Sequence, residues 1–327
     1  VRAIVITKAG GPEVLEEQTR PTPEPGLGQI RVRVRASALN RADLAQREGS
    51  YPAPPGAPAD IPGLEYAGEV DALGPGSTMW RVGDRVMGIV GGGAHAEYLC
   101  THEREALPIP TNLSYEEAAA IPEVFMTAYD AIFLQMRART GERLLVHAIG
   151  SGVGTAALQL ARVAGVTIIG TSRSATKLAR AHALGLDIGI DAMDPNWAGH
   201  IEARVGKAAV HMILDLVGGD YFPTNLRVLA ERGRMIVVGL TAGRRSEIDL
   251  GVVLGKRLQI LGTVLRARPL EEKITLARDF AEHVVPLFAS ARLHPVLDRV
   301  FSFANIRAAH EHLQSNATFG KVVLRWE

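Results

Sequence analysis

Leu144-Leu145-Val146-His147-Ala148-Ile149-Gly150-Ser151-Gly152-Val153-Gly154-Thr155-Ala156-Ala157 reads as a buried strand, a glycine turn and the start of a helix. Pyrophosphate fits such a turn, because unpaired backbone N–H groups and the positive end of the helix dipole converge there and side chains would block it. A strict G-x-G-x-x-G is absent: Gly150 and Gly152 are correctly spaced, but position 155 is Thr. A tight turn with no ligand has the same local signature, so context decides between the two. Here a strand precedes, a helix follows and another strand lies beyond. That context favours a dinucleotide, with Gly150, Ser151, Gly152 and Val153 as the cradle.

Short apolar runs alternate with amphipathic helices downstream of this turn. They are Val166-Thr167-Ile168-Ile169, Met212-Ile213-Leu214, Met235-Ile236-Val237-Val238 and Leu258-Gln259-Ile260-Leu261, with Ile188-Gly189-Ile190 as a short extra strand. Strands joined by helices of this length make right-handed crossovers, so the fold class is α/β, with a Rossmann doubly wound parallel sheet. Upstream the texture is strand and loop. Ile30-Arg31-Val32-Arg33-Val34 alternates like a half-buried strand, Arg81 to Val86 is a turn entering another, and Ser50-Tyr51-Pro52-Ala53-Pro54-Pro55-Gly56 is a loop. Ser114-Tyr115-Glu116-Glu117 has capping-box spacing before Ala118, Pro122 ends or kinks that turn, and Phe125 to Met136 reads as a longer helix. The tail is expected to return to the first domain, with a helix over Leu270 to Leu287, strand Val300 to Phe303, helix Asn305 to Leu313 and strand Val322 to Leu324. The expected division is 1–122 with 266–327 as a mainly β domain, and 123–265 as the dinucleotide-binding domain.

Composition narrows the function classes. Over 327 residues, 36 Lys and Arg against 35 Asp and Glu give a net charge of +1, which makes no electrostatic case for nucleic acid or a membrane surface. Hydrophobic residues at 47% and charged ones at 22% argue against disorder. Cys100 is the single cysteine, so neither a disulfide framework nor a cluster of cysteine metal ligands can form. No run approaches the roughly 18 apolar residues of a membrane span, and Val1-Arg2-Ala3-Ile4 lacks a signal-peptide layout, so a cytoplasmic location is expected.

The end of the next strand selects the cofactor. An NAD enzyme places Asp or Glu about 20 residues after the turn, where it accepts from the ribose 2′-hydroxyl. This chain has Gly170-Thr171-Ser172-Arg173-Ser174-Ala175-Thr176-Lys177 there. No carboxylate repels a 2′-phosphate, and Ser172, Arg173 and Lys177 can bind one, so NADPH is preferred. The plainer alternative is that Ser174 caps a helix and the two bases are solvated.

Ala38-Leu39-Asn40-Arg41-Ala42-Asp43, Pro62-Gly63-Leu64-Glu65, Val82-Gly83-Asp84-Arg85-Val86, Ala119-Ala120-Ile121-Pro122, Ser151-Gly152-Val153-Gly154-Thr155-Ala156 and Gly320-Lys321-Val322-Val323-Leu324 occur in this order over nearly the whole chain. The set resembles the medium-chain dehydrogenase/reductase superfamily, in its zinc-free quinone oxidoreductase (zeta-crystallin-like) branch. The resemblance implies that the first domain is a GroES-like catalytic domain. Zinc-dependent members place a cysteine where this chain has Asn40 and Gly-His-Glu where it has Gly63-Leu64-Glu65. Neither Asn nor Leu supplies a thiolate or imidazole, so no metal is expected.

An acceptor that takes hydride without a Lewis acid then follows, namely a quinone or a conjugated enone. The resemblance implies that Asn40 and Tyr51 line the acceptor cleft, with Asp43 beside them. A turn cap, a tyrosine packed on a proline loop and a helix-start acid are the respective structural alternatives. It further implies cofactor contacts from Asn40, Thr127, Gly239, Leu240, Val264, Leu265 and Lys321. Glu65 is assigned a structural ion-pair role. Relatives commonly carry Asn-Tyr after the third strand, where this chain reads Ile190-Asp191-Ala192, and often Gly at Arg173. The expected function is an NADPH-dependent quinone oxidoreductase, with an enone or 2-alkenal reductase as the first alternative. A non-catalytic, crystallin-like or RNA-binding protein is the second. A homodimer is expected through the apolar strand Leu258 to Val264.

Overall fold

The computed structural model describes residues 1–326, which divide into two compact units. The first comprises Val1–Met126 and the chain from Leu265 onward, and the second is Thr127–Val264.

The first unit is built on a sheet of seven strands around Gln29–Leu39. Alternate residues of that strand point inward, and Ile30, Val32 and Val34 are buried. On one side of it lies Lys321–Arg325, antiparallel, and then Leu297–Ser302. On the other lie Glu65–Leu73, Arg85–Ile89 and the short Leu107–Pro108, while Tyr98–His102 pairs with the first half of Gln29–Leu39. The core joins Ile30, Val32, Tyr66, Val86 and Leu324 to Phe303, Ile306 and Leu313 from the C-terminal segment.

The expected helix over Leu270 to Leu287 is two helices, Leu270–His283 and Val285–Ala289. Pro286 has no N–H to continue the first helix and suits the opening turn of the second. Likewise Pro122 opens helix Pro122–Tyr129, after which Asp130–Gln135 widens into a π-helical stretch closed by Met136 N–H donating to Ala131 O at 3.0 Å.

In the second unit six strands form one sheet, and every neighbouring pair is parallel. The spatial order is Ile188–Asp191, Thr167–Ser172, Arg143–Val146, Val210–Asp215, Leu229–Val237 and Gln259–Gly262. In chain order this is 3-2-1-4-5-6, the doubly wound arrangement that binds dinucleotides at the carboxyl ends of strands 1 and 4. Ile188–Asp191 is a full strand of the sheet, and Gln259–Gly262 is its outer edge. No helix among the described residues is long and apolar enough to cross a membrane.

Candidate active site

Asn40 follows the central strand of the first unit and precedes helix Arg41–Arg47. Its backbone N–H donates to Asp43 Oδ2 at 2.7 Å, and Asp43 Oδ1 accepts the N–H of Gly63 at 2.9 Å. Asp43 is completely buried, and these two bonds make it the clip between the helix start and the Pro62-Gly63 loop. Burial pushes its carboxyl up, and the two N–H donors pull it down.

The Asn40 side chain is gripped from both flanking strands. Lys321 Nζ donates to Asn40 Oδ1 at 2.6 Å and to Leu39 O at 2.7 Å, while Asn40 Nδ2 donates to Glu65 Oε1 at 2.9 Å. Lys321 and Glu65 form an ion pair at 2.7 Å, with side-chain exposures of 4% and 0%. The cation requires the amide oxygen and the carboxylate requires the amide nitrogen, so the orientation of Asn40 is fixed by chemistry. Lys321 spends its three donors on Leu39, Asn40 and Glu65, which makes it part of this frame.

Glu65 Oε2 accepts the backbone N–H of Glu123 at 2.8 Å. The carboxyl of Glu123 is pushed up to about 8, by burial first and by the nearby Glu65 second. Tyr51 is half-buried beneath Arg266, whose guanidinium lies 5.0 Å from the ring centroid. Burial raises the Tyr51 phenol, against the pull of the Arg266 charge. Arg266 is itself buried and donates to Gly91 O at 2.8 Å, Tyr51 O at 3.3 Å and Gln46 Oε1 at 2.5 Å. The proline loop carrying Tyr51 is thereby tied to helix Arg41–Arg47.

In the second unit the strand Arg143–Val146 leads through Ala148, at φ 51°, to Ser151 as the N-cap of helix Gly152–Val163. Ser151 Oγ accepts the N–H of Gly154 at 3.0 Å. The N–H groups of Gly152 and Val153 have no acceptor among the described residues. A Cβ on Gly154 would lie 2.6 Å from the carbonyl oxygens of Ala148 and Ile149. Gly154 therefore takes the close-packing role of the third glycine, and Thr155 turns inward to donate to Gly152 O at 3.0 Å. Two unsatisfied donors on a helix N-terminus, with no side chain in the way, fit a pyrophosphate.

The next strand end adjoins this turn, since Ile149 N–H donates to Thr171 O at 3.0 Å. Ser174 caps helix Ala175–Ala183, accepting the N–H of Lys177 at 3.4 Å, and Ser172 Oγ accepts the N–H of Ser174 at 3.2 Å. Capping and ligand binding are thus compatible roles for neighbouring residues. Arg173 is exposed and Lys177 partly so. Ala192 N–H donates to Ser172 O at 2.9 Å, and Asp191 Oδ1 is turned onto the N–H of Met193 at 2.8 Å.

Beneath the strand ends runs a buried network that the sequence did not reveal. His147 bonds Thr171 Oγ1 at 2.9 Å and Asn225 Oδ1 at 2.7 Å, and Asn225 Nδ2 donates to Asp215 Oδ2 at 3.2 Å. Asp215 Oδ1 accepts the N–H groups of Val217 and Gly218, both at 2.9 Å, so the network shapes the turn after the fourth strand. Desolvation holds His147 below its ordinary value. Gly239 lies against that turn, where a Cβ would stand 2.7 Å from Leu216 O. Leu240 and Val264 are exposed, Thr127 is buried in the second unit, and Leu265 is buried in the first.

Residues 26–111 match the model of the alcohol dehydrogenase GroES-like domain, and residues 152–290 match that of the zinc-binding dehydrogenases. A quinone oxidoreductase of Pseudomonas aeruginosa is 33% identical over 331 residues, covering 99% of both chains. The chain belongs to the medium-chain dehydrogenase/reductase superfamily. Among solved members, an NAD-dependent alcohol dehydrogenase is 34% identical with a TM-score of 0.88 and 99% of both chains covered. The Escherichia coli quinone oxidoreductase complexed with NADPH is 28% identical with the same TM-score, 0.88, covering 99% of this chain and 100% of that one. The superfamily is known for zinc chemistry, yet among the described residues no three His, Cys, Asp or Glu side chains are gathered as a metal ligand set. Asn40 and Leu64 replace two of the ligands, and Glu65 is held in an ion pair with Lys321.

Proposed function

We propose that this protein is an NADPH-dependent, zinc-independent quinone oxidoreductase. The observation that carries this reading is the frame of Asn40, Glu65 and Lys321. Where zinc-dependent members hold a Lewis acid, this chain has a closed hydrogen-bonded ion pair whose polar atoms already face each other. The acceptor must then be electrophilic without a metal, as a quinone is, because the added charge spreads into an aromatic hydroquinone. Bound NADPH supplies the hydride. The residues of this chain do the rest by orientation and hydrogen bonding. The N–H groups of Gly152 and Val153 hold the pyrophosphate, Ser172, Arg173 and Lys177 hold the 2′-phosphate, and Thr127, Gly239, Leu240, Val264 and Leu265 flank the nicotinamide. Tyr51 donates its phenol to the acceptor oxygen, while Asn40, Asp43 and Lys321 keep that wall of the first unit rigid.

The testing experiment follows NADPH oxidation with an ortho-quinone and with a 2-alkenal, each repeated with NADH. Turnover of the quinone with NADPH above the other three combinations is expected. Reduction of the alkenal alone would make the chain an enone reductase, and no turnover with any pair would overturn the reading.

Cofactor choice is tested separately. Charge-assisted bonds to phosphate contribute about 1.5–3 kcal/mol each and need not add, so Arg173→Ala/Lys177→Ala should weaken NADPH binding at least about tenfold. NADH has no 2′-phosphate and should bind both proteins alike. Equal losses for the two cofactors would place these residues away from the phosphate.

A homodimer is part of the same reading. Leu240, Ile248, Leu250, Leu254, Ile260 and Val264 are all exposed, with Leu254 at 81% and Leu250 at 69%, and they cluster in sequence around the open edge strand Gln259–Gly262. An apolar edge of this kind invites a second copy. Light scattering should give twice the chain mass of 35.0 kDa for the wild type and a single chain for Leu254→Lys/Ile260→Lys. A monomeric wild type would refute the dimer.

A further inference from the structure

The charges gathered around Glu123 do not balance. Asp43, Glu65 and Glu123 contribute three carboxyl groups, while Lys321 and Arg266 contribute two cations. Tyr51 also faces Glu123 and Arg266, and the buried His95, pushed down to about 3 by burial, faces Lys321 as a neutral ring. The hydrogen bonds show where the imbalance rests. Glu65 has the Lys321 ammonium, the Asn40 amide and the Glu123 N–H. Asp43 has two backbone N–H donors. Arg266 gives its donors to Gly91, Tyr51 and Gln46, with none going to a carboxylate. Glu123 Oε2 is enclosed and has no hydrogen-bond partner among the described residues.

Such an oxygen bears a proton more readily than a charge. The place of Glu123 in the first turn of helix Pro122–Tyr129 favours the anion, but that effect is smaller than enclosure beside the Glu65 carboxylate. The residue as a whole is only half-buried, so its carboxyl can exchange protons with water.

We propose that the Glu123 carboxyl stores and delivers the proton consumed when the acceptor is reduced, an assignment that rests on the reductase reading above. A quinone that gains a hydride becomes a hydroquinone anion. The O–H bond of Glu123 breaks, the proton passes to the anionic oxygen to complete the hydroquinone, and Glu123 is left as a carboxylate that water reprotonates. Tyr51 cannot fill this role alone, since burial makes its phenol a weaker acid than usual and a net donor must be recharged on every cycle.

The sign of the pH dependence follows. The acid form is required, so the rate should fall as pH rises through the Glu123 midpoint of about 8. Glu123→Gln should lose that alkaline limb and turn over at least about tenfold more slowly at pH 7, with NADPH affinity changed less than about twofold. Glu123→Asp should keep a limb, displaced. A glutamine variant with an unchanged alkaline limb would overturn the assignment.

Infrared spectroscopy of the ligand-free protein gives a second readout that needs no turnover. The buried Asp43 carboxyl is pushed up as well, so the signal read is the carboxylic-acid carbonyl band lost in Glu123→Gln. It should be present at pH 7 and fade with a midpoint near 8, and no difference between the two proteins at pH 7 would also overturn the assignment. If no acceptor is reduced but the band is present, the reductase reading fails while Glu123 still holds its proton.

Discussion

Lys321→Ala is expected to destabilise the first unit by about 3–5 kcal/mol, the range for removing one partner of a buried ion pair. The substitution strands the Glu65 carboxylate, which is fully buried, and removes the donor for both Leu39 O and Asn40 Oδ1. Because two units need not unfold together, the measurement should follow the first unit alone. Trp80 and Trp326 report on it, and Trp197→Phe silences the tryptophan of the second unit. Urea unfolding in that background should show the loss, and Glu65→Gln/Lys321→Met should recover most of it, since the stranded charge is gone. A loss below about 1 kcal/mol would show that the pair is solvated and does not frame Asn40.

Tyr51→Phe should lower the turnover of quinone by roughly tenfold to a hundredfold, about 1–3 kcal/mol, if its phenol bond strengthens as charge develops on the acceptor oxygen. NADPH binding should change little. Arg266 contacts the ring and the Tyr51 carbonyl, and both remain in the phenylalanine variant, so the loop should keep its place. That makes the substitution a test of the hydroxyl alone. Steady-state rates with several quinones decide it, and an unchanged rate with all of them would make Tyr51 a packing residue.

The parallel sheet was legible because each strand and its following helix are local patterns, and the glycine turn announced where the first crossover begins. The sequence also showed Ser151 beside Gly152. It misled at the third glycine: fixed spacing points to position 155, whereas the close approach to Ala148 and Ile149 occurs at Gly154. The acceptor-side frame was largely invisible. Lys321 and Asn40 are 281 residues apart and Asn40 and Glu65 are 25, and only the strand order of the sheet brings them together. Arg266 and Glu123 carried no local mark, because a lone cation or acid near a strand end or helix start usually faces water. His147 read as one more strand residue, and its partners Asn225 and Asp215 come from a helix and a strand far downstream.

Strand Lys321–Arg325 sits in the interior of the first sheet, yet it lies downstream of the entire second unit. On the ribosome the second unit is continuous and can close on itself early, while the first must wait with the Ala36–Leu39 end of its central strand unpaired on one side. During that interval this short edge stands open to any extended segment that passes. The arrival of Lys321 then does two things in one event: it covers that edge and delivers the cation to Glu65. Chains cut short before this residue should accumulate as aggregates or chaperone clients, even though more than nine-tenths of the sequence has been made.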